Sequence, residues 1–400
     1  PSTSRDTYKL TATLTKAPQR ALLLLHGLNS APETWDTFET QYYSTKGQLG
    51  TCPTILVRNG EAYIKERYNF TQSVDDWGVF CYKLHFGGYD NTPKHPTGIG
   101  LVGLEGTRCE NSSCNGDYST FSQLGKEVEA AVSYLVEEKH DRGVEIVLLG
   151  HSRGGLAARA YLQDKNSAYH KNIRGLITTG TPHLGSPIGR IFMYLANKCL
   201  TGDIYKKPSE PNGAKRIESS SCAADWEVAD FVLEESGLDV RSPSVHYLSA
   251  RSPDIRSLTS NVSNLPDHIF YKKIFYDEMP LGYLQRGAKD SNAIAVEYRY
   301  LIFHTKILGF TQTVSDVARE FILGKGKKPE YFMGDGIVTK DSQNMDFGQT
   351  MDFEKNHEKN IRGMGTGKEK TLHIEETKQV SDLENALYKL YRDDLKWKQQ

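Results

Sequence analysis

Residues 144–162 read VEIVLLGHSRGGLAARAYL, and this stretch decides the fold class. Val144 to Leu149 is a nearly continuous apolar run of the length expected for a strand buried on both faces. It stops at Gly150, and Leu156 to Leu162 then reads as a helix. Between them lies Gly150-His151-Ser152-Arg153-Gly154, a G-x-S-x-G sequence in the strand–turn–helix setting that presents a serine nucleophile. The glycines have a steric reason: a serine on so tight a turn needs neighbours without Cβ atoms where the backbones close on one another. The hydroxyl then stands at the carboxyl edge of a sheet, beside a helix N-terminus whose N–H groups favour developing negative charge. The bland alternative, a glycine-rich turn without chemistry, would not require that setting.

Upstream of this unit, Thr120 and Gln123 are spaced as a capping box for an amphipathic helix carrying Leu124, Val128, Val132 and Leu135. Ile173 to Thr179 is the next strand downstream. Arg20 to Leu25 is a buried strand ended by His26-Gly27-Leu28-Asn29-Ser30. Thr34 to Tyr42 reads as a helix, Thr54 to Val57 and Val79 to Leu84 as strands, and Tyr8 to Leu14 as an edge strand. Repeated β-then-α units argue for an α/β fold with a doubly wound, mostly parallel sheet. The rhythm breaks after Gly180-Thr181-Pro182-His183-Leu184-Gly185-Ser186. Residues 1–187 are therefore expected to form the first part of the core, 188–243 a cap insertion and 244–251 a core strand. A second cap insertion is expected over 252–330, and 331–400 returns to the core. In the first insertion, Ile191 to Leu195 has the large apolar side chains of a lid or pocket wall. Ser381 and Glu384 are spaced to cap a last helix with Leu383, Leu387 and Leu390 on its apolar face.

Composition narrows the function classes. The 400 residues are 38% hydrophobic and carry a formal charge of −1, which leaves no basic stripe for nucleic acid. No apolar run approaches a transmembrane segment. The chain starts at Pro1 without a hydrophobic signal core, as a processed or trimmed form would. Six cysteines without a C-x-x-C argue against zinc knuckles and thioredoxin-like chemistry. The even count predicts disulfides and a secreted, extracellular protein, the alternative being six buried thiols in a cytosolic enzyme. The expected bridges are Cys109–Cys114 and Cys199–Cys222, with Cys52–Cys81 as a third. Oligomeric state is not legible.

A serine becomes a nucleophile when a base takes its proton, and a third group must hold the base. In a strand–elbow arrangement the chain order is serine, acid, histidine. Asp335, at a strand end between Gly334 and Gly336, is the first candidate acid; Asp254, just past the 244–250 strand, is the second. Beyond Asp335 lie two histidines. His357 sits in a charged run with the look of a solvated surface, and His373, which precedes the last helix, is the preferred base. The loop at Leu28 and the amide of Arg153 are the candidate oxyanion donors. His26, His151 and His183 flank the site and read as structural histidines.

Four segments carry a resemblance. Gly150-His151-Ser152-Arg153-Gly154-Gly155-Leu156, Gly180 to Ser186, Gly334-Asp335-Gly336-Ile337-Val338 and His373-Ile374-Glu375-Glu376-Thr377-Lys378-Gln379-Val380 are similar, in order, to the motif series of secreted bacterial triacylglycerol lipases and their esterase relatives. The resemblance implies an α/β-hydrolase fold with helical cap insertions, Ser152 as nucleophile, Asp335 as acid and His373 as base, with oxyanion donors at Leu28 and Arg153. It implies no required cofactor. A structural calcium ion is the one metal it suggests, with Glu375 as a carboxylate ligand and Gln379 as a backbone-carbonyl contributor. Two features depart from that family: the long excursions and the high cysteine count. The expected activity is serine-dependent hydrolysis of a small-molecule or lipid ester through an acyl-enzyme. The alternatives are an extracellular polyester depolymerase, an amidase or thioesterase on the same frame, and a non-catalytic binding protein.

Overall fold

The computed structural model describes residues 18–28, 30–44, 50–58, 60–64, 71–86, 119–187, 243–280, 333–345, 358–363 and 371–399, with short pieces at 189, 200–201, 211, 215–216, 283–285 and 298–300. Eight strands form one sheet: β1 (Arg20–Leu25), β2 (Thr54–Arg58), β3 (Glu61–Ile64), β4 (Val79–His85), β5 (Glu145–His151), β6 (Ile173–Thr179), β7 (Phe270–Phe275) and β8 (Glu358–Arg362). Their order is β8-β7-β6-β5-β1-β4-β2-β3. Every neighbouring pair is parallel except the β2–β3 hairpin at one edge.

Parallel strands buried on both faces need apolar side chains in both directions. Along β1, Ala21, Leu23 and Leu25 enter one core and Leu22 and Leu24 the other, all at 0% exposure. The first core is closed by α2 (Phe121–Tyr134) and α3 (Arg153–Gln163), the second by α1 (Asp36–Ser44) and α6 (Val380–Lys389). The Thr120–Gln123 capping box forms as its spacing predicts, and Leu383, Leu387 and Leu390 are fully buried. A disulfide joins Cys52, just before β2, to Cys81 in the adjacent β4. The chain winds outward in one direction after β1 and in the other after β5, so the carboxyl ends of these two neighbours meet at the topological switch point. Ligand sites of open parallel sheets lie there.

Several expectations are corrected. Residues 244–251 are not a strand: α4 (Pro243–Leu248) occupies them, and only Ser249 makes a single bridge, to Ser186. Val245 and Leu248, three apart, are the buried pair, a helical spacing that a short apolar run conceals. The second insertion, 252–330, begins with α5 (Pro253–Ser260) and contains the core strand β7. Lys272 and Lys273 hid that strand, because buried lysines are rare. Both are 1% exposed, Lys272 paired with Asp394 and Lys273 donating to the Met345 carbonyl. Glu358–Arg362, which follows His357, is the edge strand β8. Met333–Gly334 pairs with Met279–Pro280 outside the main sheet. Ser381 lies inside α6, whose N-cap is Gln379, because a 3-10 turn over His373–Lys378 delivers the chain two residues earlier. Tyr8 to Leu14, Ile191 to Leu195, His357 and the cysteines at 109, 114, 199 and 222 lie outside the described residues.

Candidate active site

Ser152 stands between β5 and α3 with φ 54° and ψ −126°, a conformation costly for a residue with a Cβ. Its amide donates to the Thr179 carbonyl at the end of β6, which pins the turn to the next strand. Two glycines make the turn possible. A Cβ on Gly150 would lie 2.6 Å from the Gly155 Cα, and one on Gly154 would lie 2.7 Å from the His26 carbonyl oxygen.

Asp335, His373 and Ser152 come together from three distant parts of the chain. His373 Nε2 is 2.8 Å from Ser152 Oγ, and His373 Nδ1 is 2.8 Å from Asp335 Oδ2. The other Asp335 oxygen accepts from the Ile337 and Val338 amides at 2.9 and 2.7 Å, and the His373 amide donates to the Asp335 carbonyl. Burial pushes the fully enclosed Asp335 carboxyl up, but the facing His373 and these hydrogen bonds outweigh it, so the group sits below the usual carboxylate range. Asp335 is therefore an ionised acceptor that fixes the ring with its Nδ1–H toward the acid and Nε2 toward the serine. Asp254, the rival acid, lies instead on α5, lining a groove with Lys126, Gln163 and Asp164.

The flanking histidines are buried and hydrogen-bonded. His151 Nε2 donates to the His373 carbonyl at 2.9 Å, and burial lowers its pKa to about 3. His183 is fully buried between Arg159, which donates to its Nδ1, and Thr178; burial holds it well below the ordinary imidazole range. His26 is likewise fully buried and neutral for the same reason.

Glu376 escaped the sequence reading. It is 0% exposed, with Oε1 3.9 Å from His373 Nδ1 and Oε2 accepting from Thr179 Oγ1 at 3.2 Å. Burial, and then the neighbouring Asp335 charge, raise its pKa well above the usual value, so it sits there as the neutral acid. The doubled acid in His373-Ile374-Glu375-Glu376 was the available signal, but it was assigned to the first glutamate. Glu375 serves as a local cap: its Oε2 accepts from the Leu372 amide. Calcium takes six to eight oxygens, several of them carboxylate. Among the described residues, the one cluster of three metal-capable side chains is His151, His373 and Glu376, which excludes Glu375 and lies beside the Ser152–His373–Asp335 hydrogen bonds. Glu375 belongs to no group of three metal-capable side chains among the described residues.

Arg153 is the first residue of α3, so its N–H has no acceptor within the helix. Gly27, which precedes Leu28, lies against the serine: a Cβ there would be 3.4 Å from Ser152 Oγ. Gly27 and Arg153 thus border Ser152, one following each strand of the switch point.

Residues 116–201, which span α2, β5, the serine turn, α3 and β6, match the PGAP1-like alpha/beta domain. By its sheet order the chain is a doubly wound, mostly parallel α/β fold. Among solved structures, this fold is similar to a lipase of Bacillus licheniformis in its mature form (13% identity, TM-score 0.43, 94% of this chain and 96% of that one). It is also similar to a gene product of Listeria innocua (12%, 0.42, 92% and 93%) and to a lipase-esterase related protein of Clostridium acetobutylicum (13%, 0.30, 64% and 74%). No curated protein matches the chain. Each of these is a likeness only; the chemistry has to be read from this chain's own side chains.

Proposed function

We propose that this α/β protein is a serine-dependent carboxylic-ester hydrolase. The observation that carries the reading is the unbroken relay from Ser152 Oγ through His373 to Asp335, two contacts of 2.8 Å at the carboxyl edge of the sheet. His373 Nε2 takes the serine proton as Oγ adds to the ester carbonyl carbon. The carbonyl π electrons move to oxygen, where the Leu28 and Arg153 amides receive the charge. His373 then gives its proton to the leaving alcohol, and the acyl-enzyme forms. Water repeats the sequence, with His373 again as base, and releases the acid. Asp335 stays ionised throughout and stabilises the imidazolium; His151 holds the His373 backbone, and neutral Glu376 adds no second charge beside the ring.

The disulfide fits an oxidising compartment, and we place the enzyme outside the cytosol. No helix among the described residues is long and apolar enough to cross a membrane. A series of p-nitrophenyl esters from C2 to C16 tests the reading, run with soluble and emulsified substrate beside a matching anilide. Turnover of esters, abolished in Ser152→Ala together with labelling by a fluorophosphonate, is the expected result. A folded wild-type protein that turns over no ester and takes no label would overturn it. Short to medium acyl chains, without a rate jump at the solubility limit, are expected of a fixed cap.

A further inference from the structure

His26 ends β1 and touches neither the serine nor the acid, yet its two ring nitrogens are both committed. Nδ1 lies 3.0 Å from the Gly27 carbonyl oxygen, which can only accept. Nε2 lies 3.3 Å from the Phe86 amide, which can only donate. One tautomer satisfies both, with the proton on Nδ1, and the ring is 0% exposed, so nothing else competes for it. An edge-to-face contact with the Phe86 ring, centroids 5.0 Å apart, fixes its plane.

The carbonyl that His26 holds belongs to the peptide unit whose N–H is that of Leu28. In a trans peptide the C=O and N–H bonds are antiparallel in one rigid plane. Holding the Gly27 oxygen toward the imidazole therefore turns the Leu28 N–H away from it. Gly27 itself is in contact range of Ser152, and only a glycine fits, since a Cβ would come within 2.9 Å of the Ser152 Cβ. Without the histidine, this peptide could flip about its flanking bonds and present a carbonyl oxygen where an N–H is needed.

We propose that His26 is a positioning residue that sets the oxyanion peptide, using the Phe86 amide at the end of β4 as its anchor. The inference rests on the ester-hydrolase reading above. It assigns His26 a role in stabilising the transition state rather than in binding the ground state, so its loss is read in kcat and not in KM.

Two substitutions separate the ring's two contacts. His26→Asn keeps a donor at the position of Nδ1 and loses the acceptor for Phe86; His26→Gln keeps an acceptor near Nε2 and loses the donor to Gly27. With a soluble p-nitrophenyl ester, His26→Gln is expected to lower kcat on the order of 10²-fold with KM little changed, while His26→Asn stays within about tenfold of wild type. Affinity for a trifluoromethyl ketone, which forms a serine-bound oxyanion, should fall in His26→Gln by the same factor as kcat/KM. Wild-type kcat in His26→Gln, or a loss of kcat with ketone affinity unchanged, overturns the proposal. So does an equal loss in both variants when both melt like wild type. If His26→Gln does not fold, His26→Asn decides alone: retained kcat and ketone affinity support the role, and their loss in a folded protein refutes it. A wild-type protein inert to every ester sinks the ester-hydrolase reading itself, whereas an active wild type with an unaffected His26→Gln sinks only this inference.

Discussion

Ser152 is held where a side chain is unwelcome, at φ 54° with its amide tied to Thr179. Backbone strain of this kind costs about 1–3 kcal/mol and persists because the surrounding contacts over-determine it. A glycine adopts that conformation freely, although it also gains freedom in the unfolded chain. Ser152→Gly is therefore expected to be more stable than Ser152→Ala by roughly 1 kcal/mol, with both inactive. Urea midpoints of the two variants test this; an alanine variant as stable as the glycine variant would show that no strain is stored. At this scale the nucleophile was legible because its conformation requires glycines at fixed positions. Glu376 was not, because a buried neutral carboxylic acid has the same letter as an exposed carboxylate.

Among elements, the Cys52–Cys81 bridge ties the start of β2 to β4 across a separation of 29 residues. It lies beside a cluster that joins α1 to β4, where Glu39 accepts from the Cys52 amide and from Lys83, which also reaches Asp36. Closing a loop of that length restricts the unfolded chain by roughly 3–4 kcal/mol on the chain-entropy account. Replacing both cysteines by alanine should lower the stability read from urea unfolding by about that amount, with kcat toward a soluble ester unchanged. A bridgeless variant of wild-type stability would count against the account. The strand pair itself was readable from apolar runs. β7 and α4 are hidden in the sequence because periodicity in a six-residue segment does not separate helix from strand, and because two lysines in β7 are buried against partners far away in sequence, Asp394 for Lys272 and the Met345 carbonyl for Lys273.

For the whole molecule, the histidine inventory sets the response to acid. Burial lowers the pKa of His26, His140, His151, His170, His183 and His246, to about 4 for His140 and about 3 for His151. An unfolded histidine takes up its proton near pH 6.5, before the folded one does, so the unfolded state binds more protons and stability falls as pH drops below that value. Each fully buried histidine adds a slope of about 1.4 kcal/mol per pH unit until pH nears its folded value. Glu376, protonated when folded, opposes this between the ordinary glutamate pKa and its own raised value, but it is one group against six. Melting temperature should therefore decline from pH 7 to pH 5. A flat or rising profile in calorimetry would contradict the neutral, buried assignments.

The order of serine, acid and base, the glycines around the nucleophile and the parallel αβ rhythm were all determined by the sequence itself, because each is imposed by local sterics or by spacing along the chain. Which acid and which histidine meet Ser152, the enclosure of Glu376 beside them and the orientation of His26 toward the Gly27 peptide were decided only in the tertiary structure. Asp335 and His373 lie 183 and 221 residues beyond Ser152 in the sequence, and the contacts that choose them over Asp254 exist only once β5, β6 and the turn before α6 are packed together. Burial completes the division: the same side chain is a solvated charge or a neutral hydrogen-bond donor according to what surrounds it, and those surroundings are assembled from the whole chain.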